Sequence, residues 1–200
     1  MAGASVAFAA ARMDDPPEGT APEAGLLALA KTGHLDAFEQ LVALHERRVF
    51  SLALRLTGSV EDAKDATQEA FIRLHRKIGQ VDSGRGVGPW LYSVTVNACR
   101  DIGRERQRSR LVPMENWASL AAVDCASSPE GLYADRQREE RLRGVLHRLP
   151  EKERAALVLR EMEGLSTEEV AQILGSSPVT VRSQISMARL KLRKLLRGKL

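Results

Sequence analysis

The sequence has few cysteines, and this scarcity excludes two kinds of structure. Only Cys99 and Cys125 occur among the 200 residues. They are too few and too far apart to form a zinc knuckle, and no histidine lies at ligand spacing beside either one. We therefore expect no metal site and no bound cofactor. The thiols are expected to be reduced, as in a cytoplasmic protein.

Long hydrophobic runs are also missing. No apolar stretch approaches the roughly 20 residues that a membrane-spanning helix needs. Residues 1–24 contain a short alanine-rich piece, but they lack the basic start and long apolar core of a signal peptide. The sequence therefore predicts neither membrane insertion nor export.

Groupings typical of enzymes do not occur either. The chain has no nucleophile and base at suggestive spacing and no glycine-rich loop of the kind that binds phosphate. Its histidines are scattered along the sequence, at His34, His45, His75 and His147. We therefore predict no catalytic residue and no enzymatic activity. A helical interaction module that does not bind DNA remains a rival interpretation.

What the chain does contain favours helices. Hydrophobic residues make up 44% and charged residues 28%, which is the composition of a globular protein. Aromatic residues make up only 4%, while Leu, Ala and Arg are abundant, as in helical proteins. The chain is long enough for two small domains. The expected fold class is therefore all-α, with two small helical domains joined by a flexible linker.

Apolar spacing predicts three helices in the first half of the chain. Asp36 is the expected N-cap of the first helix, and Gly58 its end. Ser59 opens the second helix, which is expected to end at Gly79. In the third helix, Pro89 suits the first position, because its fixed backbone angle matches the helix.

Loss of periodicity after the third helix divides the chain. Residues 1–24 are expected to be a disordered tail and residues 25–108 a helical domain. Residues 109–131 have the composition of a flexible tether. The second domain, residues 132–200, is expected to open with a helix from Leu132 to Leu149 that is followed by another from Glu151 to Met162.

A helix-turn-helix follows in the second domain. Ser166 and Glu169 have the spacing of a capping box at the start of a helix. Gly175 suits the left-handed residue that ends it, while Ser177 and Pro178 fit the N-cap and first position of the next helix. No acidic residue lies from position 182 onward. These features favour DNA binding over an ordinary helical hairpin.

Three segments give the chain a family resemblance. They are DAKDATQEAFIRLHRKI, PWLYSVTVNACRDIGRERQR and LPEKERAALVLREMEGLSTEEVAQILGSSPVTVRSQISMARLKL. Together they resemble the extracytoplasmic-function group of bacterial RNA polymerase sigma factors, from about residue 35 to residue 196 except in the tether. The resemblance implies a protein that binds core RNA polymerase and promoter DNA, and an anti-sigma factor as a further partner.

The resemblance also implies roles for particular residues. Asp62, Asp65, Gln68 and Glu69 match the family's surface for the polymerase clamp helices. The positions that match the family's contacts to the downstream promoter element are Trp90, Asn97, Arg100, Arg104, Arg106 and Arg108. Those that match its contacts to the upstream element are Thr180, Arg182, Ser183, Gln184, Ser186 and Arg189. Of these, Trp90 also fits a core position, since a Trp beside apolar neighbours is usually packed.

Four positions depart from the family pattern. Val179 lies where a glycine is usual, Gln184 and Met187 lie where arginines are common, and Val87 replaces a frequent aromatic residue. These departures affect the promoter sequence that is preferred, not the class of protein. The alternative is a conventional helix-turn-helix regulator of the response-regulator type, which would act without core polymerase, since SPVTVRSQI also resembles that family.

Overall fold

The computed structural model describes residues 21–109 and 142–197 of the chain, and these parts are helical without any strand. Seven α-helices lie wholly within the described residues, and residues 142–146 form a further helical segment. The first four are α1 (Ala21–Lys31), α2 (Leu35–Thr57), α3 (Val60–Lys77) and α4 (Gly88–Ser109). The other three are α5 (Glu151–Leu157), α6 (Thr167–Leu174) and α7 (Pro178–Arg197). The predicted all-α class is confirmed. The predicted tether from residue 110 onward lies outside the described residues.

Helix α1 is the main difference from the sequence prediction, which put residues 21–24 in the tail. It forms because Leu27 and Ala30 are buried against the neighbouring helices. The side chain of Glu23 is buried as well, and its Oε1 accepts a hydrogen bond of 2.9 Å from the Val87 backbone N–H. α1 is therefore tied to the turn before α4, a contact across 64 residues.

Only the C-terminal end of α2 agrees with the prediction. Gly58 ends the helix with a left-handed φ of 74°, and its N–H donates to the Leu54 carbonyl. The prediction of Asp36 as N-cap was wrong, because His34 holds that position and forms no capping bond through its side chain. Asp36 lies instead in the first turn, where a carboxylate interacts favourably with the helix dipole.

The boundaries of α3 and α4 are shifted slightly from those predicted. Ser59 is the N-cap of α3 and accepts the Asp62 backbone N–H at 3.3 Å, as predicted. Gly79 does not end this helix, because the chain tightens into a 3₁₀ turn at Ile78–Gln80. Helix α4 begins at Gly88, one residue before the predicted Pro89.

In the second half the predicted helices are partly interrupted. Of the helix predicted from Leu132 to Leu149, residues 132–141 lie outside the described residues, and 142–146 are helical. The helix predicted from Glu151 to Met162 is α-helical only to Leu157. Val158–Met162 then form a π-helical turn, in which the Glu163 N–H donates to the Val158 carbonyl. The wider turn carries the chain toward α6.

The helix-turn-helix is built by the predicted local contacts. Ser166 accepts the Glu169 N–H, and the Glu169 carboxylate accepts the Ser166 N–H at 2.7 Å, which completes the capping box. Gly175 ends α6 with a φ of 60°. Ser177 accepts the Thr180 N–H at 3.1 Å and so caps α7. The angle between α6 and α7 is therefore encoded within a few residues.

Two hydrophobic cores hold the fold. The first lies among α1 to α4, with Leu27, Leu41, Leu74 and Leu91 fully buried. The second core joins the two domains and combines N-terminal residues such as Leu52 and Tyr92 with C-terminal residues. Its C-terminal members include Leu146, Leu157, Leu165, Val181 and Ile185. The domains are thus packed on each other by apolar burial.

Candidate functional site

Helix α3 presents part of the predicted polymerase-binding strip to solvent. Asp65 and Gln68 are exposed, and Glu69 is half-exposed. The Glu69 carboxylate accepts a hydrogen bond of 2.6 Å from Arg73 Nε, one turn further along the helix. Ala66 and Ala70 face the core between these positions. The three polar side chains therefore form one acidic and amide-bearing face, complementary to a basic partner.

Asp62 faces a different way from the rest of the strip. Only 7% of Asp62 is exposed, and its Oδ1 lies 2.6 Å from Arg106 Nη2 on α4. Burial raises the pKa of the Asp62 carboxyl, while the Arg106 charge partly opposes that rise. The pair links two residues that the sequence assigned to separate partners, one to polymerase and one to DNA.

At the start of α4, Trp90 and Asn97 occupy contrasting environments. Trp90 is partly buried and packs against the N-terminal core, in line with the core position considered for it. Asn97 is exposed, two turns further along the helix. Its side-chain amide carries both a hydrogen-bond donor and an acceptor, and so can pair with the edge of a base.

The arginines of α4 have carboxylate neighbours. Arg100 Nε lies 3.2 Å from Glu151 at the start of α5. Arg104 and Arg108 are exposed and lie 3.6 Å from Asp101 and 3.7 Å from Glu105, each one turn away on the same helix. These surface pairs contribute little stability, because water screens them. They do reduce the positive field of α4.

The two domains are joined by polar contacts as well as by the shared core. Arg55 of α2 donates to Glu163 at 3.1 Å, and both side chains are largely buried, with 13% and 7% exposed. Arg85 donates to the Gln172 amide oxygen of α6 at 2.9 Å. A carbon placed at the missing Cβ of Gly58 would lie 2.2 Å from His147 Nε2, so the imidazole rests directly on the end of α2.

Beside these contacts lies a cavity of about 280 Å³ lined by both domains. Cys99 lines it, and burial raises the pKa of its thiol to about 12, so the sulfur stays protonated. His147 accepts a hydrogen bond of 3.1 Å from Arg154. Burial, together with the charges of Arg154 and Arg143, lowers the pKa of His147 to about 4. Cys99 and His147 are therefore neutral, although charged side chains such as Arg154 and Glu151 also line the cavity.

Helix α7 presents most of its predicted DNA-contacting residues outward. Thr180, Arg182, Ser183, Ser186 and Arg189 are exposed, whereas Val181, Ile185 and Ala188 are buried on the opposite face. Arg189 pairs with Glu161 of the π-helical turn. Gln184 lies apart from the exposed group: it is half-buried, and its Oε1 has no hydrogen-bond partner among the described residues.

Sequence reasoning missed the carboxylates that pair with the cationic residues. Glu151 and Glu163 contact Arg100 and Arg55 in the other domain, and Glu153 and Glu161 contact α7. The sequence signal for them was weak, because their partners lie 28 to 108 residues away. Among the described residues, no group of histidines, cysteines or carboxylates is arranged to hold a metal ion. None of the described helices meets the length and apolarity that crossing a membrane requires.

Family comparisons match both halves of the chain. The model for sigma-70 region 2 matches residues 41–109, and that for sigma-70 region 4 matches residues 139–192. The chain is 38% identical to the extracytoplasmic-function (ECF) RNA polymerase sigma factor SigE of Mycolicibacterium smegmatis, over 91% of this chain and 69% of that protein. It is 34% identical to the ECF RNA polymerase sigma-E factor of Escherichia coli, over 82% of this chain and 88% of that protein.

Solved structures match the fold as a whole. CnrH, solved in complex with the cytosolic domain of CnrY, is 28% identical and superposes with a TM-score of 0.65, over 90% of this chain and 99% of that one. The sigma factor RpoE of Bartonella quintana, solved with the anti-sigma factor NepR, is 25% identical with a TM-score of 0.61. That match covers 82% of this chain and 98% of RpoE. The similarity therefore extends across both domains.

Proposed function

This chain belongs to the extracytoplasmic-function family of RNA polymerase sigma factors, and from that premise we propose how its two domains direct initiation. The α3 strip binds core RNA polymerase, the α4 residues engage and melt the downstream promoter element, and α7 reads the upstream element. The observation that carries the proposal is the match of both region models, in order, to the two domains that present these surfaces.

The polymerase contact is proposed for Asp65, Gln68 and Glu69. Their exposure on one face of α3 supports this role, because a rigid helix holds the three groups at constant spacing. We assign Asp62 to the same surface only when its pair with Arg106 is broken, since its carboxylate otherwise faces α4. Charge complementarity at such a contact favours fast and specific association.

The downstream element is proposed to meet Asn97 and the α4 arginines. The exposed Asn97 amide suits an unstacked base, whose capture favours opening of the duplex. Arg100, Arg104, Arg106 and Arg108 would bind the phosphate backbone and replace their present carboxylate partners with phosphates. For Arg100 this exchange requires its guanidinium to leave Glu151, which breaks one polar contact between the domains.

The upstream element is proposed to lie against α7. Arg182 is exposed near the start of the helix, where a guanidinium can bind the edge of a guanine in the major groove. Thr180, Ser183 and Ser186 add hydroxyl groups on the same face. Gln184 contributes only if it leaves its half-buried position. The same domain is proposed to dock on the polymerase flap.

Regulation by a partner protein is proposed from the structural neighbours. RpoE of Bartonella quintana was solved with an anti-sigma factor, and CnrH with the cytosolic domain of CnrY. We propose an anti-sigma factor for this chain as well. We also propose that it acts in the cytoplasm and has no catalytic activity of its own. The family is not a class of enzymes, and a conventional regulator is not favoured, because the region 2 match extends over the N-terminal domain.

Holoenzyme assembly tests the polymerase contact. The full chain is mixed with core RNA polymerase and separated by gel filtration, and the wild type is expected to elute with the core. Asp65→Lys combined with Gln68→Lys is expected to weaken assembly at least tenfold, since charge reversal at a complementary contact costs several kcal/mol. Glu39→Lys, at an exposed carboxylate on α2, is the matched control and should assemble normally. Normal assembly of the double variant would refute the assigned surface, and failure of the wild type would refute the function.

A further inference from the structure

The outer face of α7 exposes apolar side chains that the proposed DNA contacts leave unused. Val179 is 67% exposed, and Met187 and Leu190 are 46% and 43% exposed. Val179 is the most exposed large apolar residue in the described part of the chain. It lies in the first turn of the helix, where its packing contributes nothing to the core. Its side chain is therefore available for an apolar contact outside the protein fold.

The position of Val179 is rigid. Pro178 precedes it, and the two residues around this pair are bonded to each other: Ser177 accepts the Thr180 N–H at 3.1 Å, and the two hydroxyl groups lie 2.8 Å apart. A capped first turn of this type presents its side chains with little conformational freedom. Val itself has a stiff side chain because it branches at Cβ.

Basic residues border the outer face of α7 along its length, with Arg182 about one turn from Val179 and Arg193 and Lys194 about four turns from it. With about 3.6 residues per turn, Val179, Ser183 and Ser186 follow one line along the outer face of α7. Arg182 and Arg193 border that line on one side and Lys194 on the other, and all three are exposed. No acidic residue follows Glu169 in the chain. An uncharged line between cationic borders is complementary to a groove between two phosphate backbones.

Only one group in the major groove matches a valine side chain. Base edges there present hydrogen-bond donors and acceptors, and thymine adds the apolar C5-methyl group. Because the N-terminal residues of a recognition helix contact base edges, Val179 is within reach of such a methyl group when α7 lies in the groove.

We propose that Val179 is a specificity-determining residue that packs against the C5-methyl group of a thymine in the upstream promoter element. The proposal rests on the proposed function, and it adds an apolar contact to the polar contacts of Arg182 and the hydroxyl residues. Val179 selects thymine over cytosine at one position, because cytosine lacks the methyl group and would leave the side chain facing polar atoms.

Removal of single methyl groups from the DNA tests this contact. The holoenzyme, assembled from core polymerase and the full chain, first selects its preferred upstream element from random duplexes. Each thymine of that element is then replaced in turn by deoxyuridine, which lacks only the C5-methyl group, and the dissociation constant is measured. One replacement is expected to weaken binding by the wild-type holoenzyme about fourfold, the effect of one buried methyl-sized group.

Variants assign the effect to Val179. Val179→Ala, which removes both γ-methyl groups, is expected to lose most of the difference between the thymine and deoxyuridine duplexes at that position, and Val179→Thr, which keeps one methyl group, to retain part of it. Leu44→Ala, which removes a side chain 44% exposed on α2, is the control and should keep the fourfold difference. Because Val179 is exposed, the thermal stability of Val179→Ala should equal that of the wild type.

The outcomes separate the two proposals. If the holoenzyme selects an element in which no thymine is sensitive to the loss of its methyl group, the Val179 contact is refuted while the sigma function stands. The contact is also refuted if Val179→Ala remains as sensitive as the wild type to the loss of that methyl group. It is refuted as well if Val179→Ala reduces the sensitivity equally at every thymine of the element. If the holoenzyme selects no element at all, the proposed function itself fails, and the Val179 contact with it.

Discussion

The arginines of α4 and the outer face of α7 are both cationic, but the fold surrounds them with different charges. Arg100 and Arg106 of α4 lie 3.2 Å and 2.6 Å from carboxylates on other helices. Arg182 of α7 is exposed, and no acidic residue occurs in its own helix. Positive charge on α4 is therefore largely balanced within the protein. On α7, Arg189 and Lys191 pair with Glu161 and Glu153, whereas Arg182 faces solvent.

The difference indicates which surface meets DNA first. Phosphates must compete with Glu151 for Arg100, and that competition breaks a polar contact between the domains. No such competition faces Arg182. In the packed arrangement we therefore expect α7 to be the better DNA-binding surface.

The largest expected effect follows from breaking the buried pair that holds the domains together. Glu163→Ala leaves Arg55 largely buried opposite an apolar side chain. The free energy of unfolding is expected to fall by about 3 kcal/mol, the usual result of removing one partner of a buried pair. Denaturant titration measures it. Glu105→Ala removes an exposed carboxylate near Arg108 and should change stability by less than about 0.5 kcal/mol. Equal effects of the two variants would contradict the buried contact.

Two arginine variants compare the DNA-binding surfaces directly. In the free chain, Arg182→Ala is expected to weaken binding to upstream-element DNA about tenfold, within the range for a lost bidentate contact to guanine. Arg100→Ala should weaken it less than about twofold, since its guanidinium already faces Glu151. Fluorescence anisotropy at constant salt measures both. Similar losses in the two variants would show that α4 is as accessible as α7.

A smaller effect on the free energy of unfolding is expected when the pH is lowered, because His147 is buried in its neutral form. Its pKa is about 4 in the folded protein and 6.5 when exposed. Between these values the unfolded chain binds more protons, so the free energy of unfolding falls as the pH is lowered from 6.5 toward 4. Denaturant titrations between about pH 7 and pH 5 measure the slope. His147→Gln should flatten it in this window, and an unchanged slope in that variant would show that other groups cause it.

Local structure followed from the sequence more closely than long-range structure did. The capping box of Ser166 and Glu169 and the stop at Gly58 depend on neighbours within a few residues, and the structure confirms them. Helix α1 was missed because its burial depends on partners far along the chain, such as Val87. The π-helical turn had no recognisable sequence signal.

The site shows the same division. The exposed faces of α3 and α7 follow from helical periodicity, since one side of each helix is buried. Periodicity did not reveal that Asp62 turns toward Arg106, or that Arg100 meets Glu151, because both pairs arise from helix packing. Gln184 was assigned to the DNA-contacting group by the family resemblance, and the structure leaves it half-buried beside the exposed face of α7.

Reconstituted transcription tests the central claim most directly. Purified core RNA polymerase is supplied with linear DNA that carries the region upstream of the chain's own gene and an array of candidate promoters, with and without the full chain. The account predicts discrete transcripts that require the chain, start at a fixed distance from a shared upstream element, and weaken in Arg182→Ala. Identical transcripts with and without the chain, or a chain that binds DNA yet never recruits the core, would contradict it.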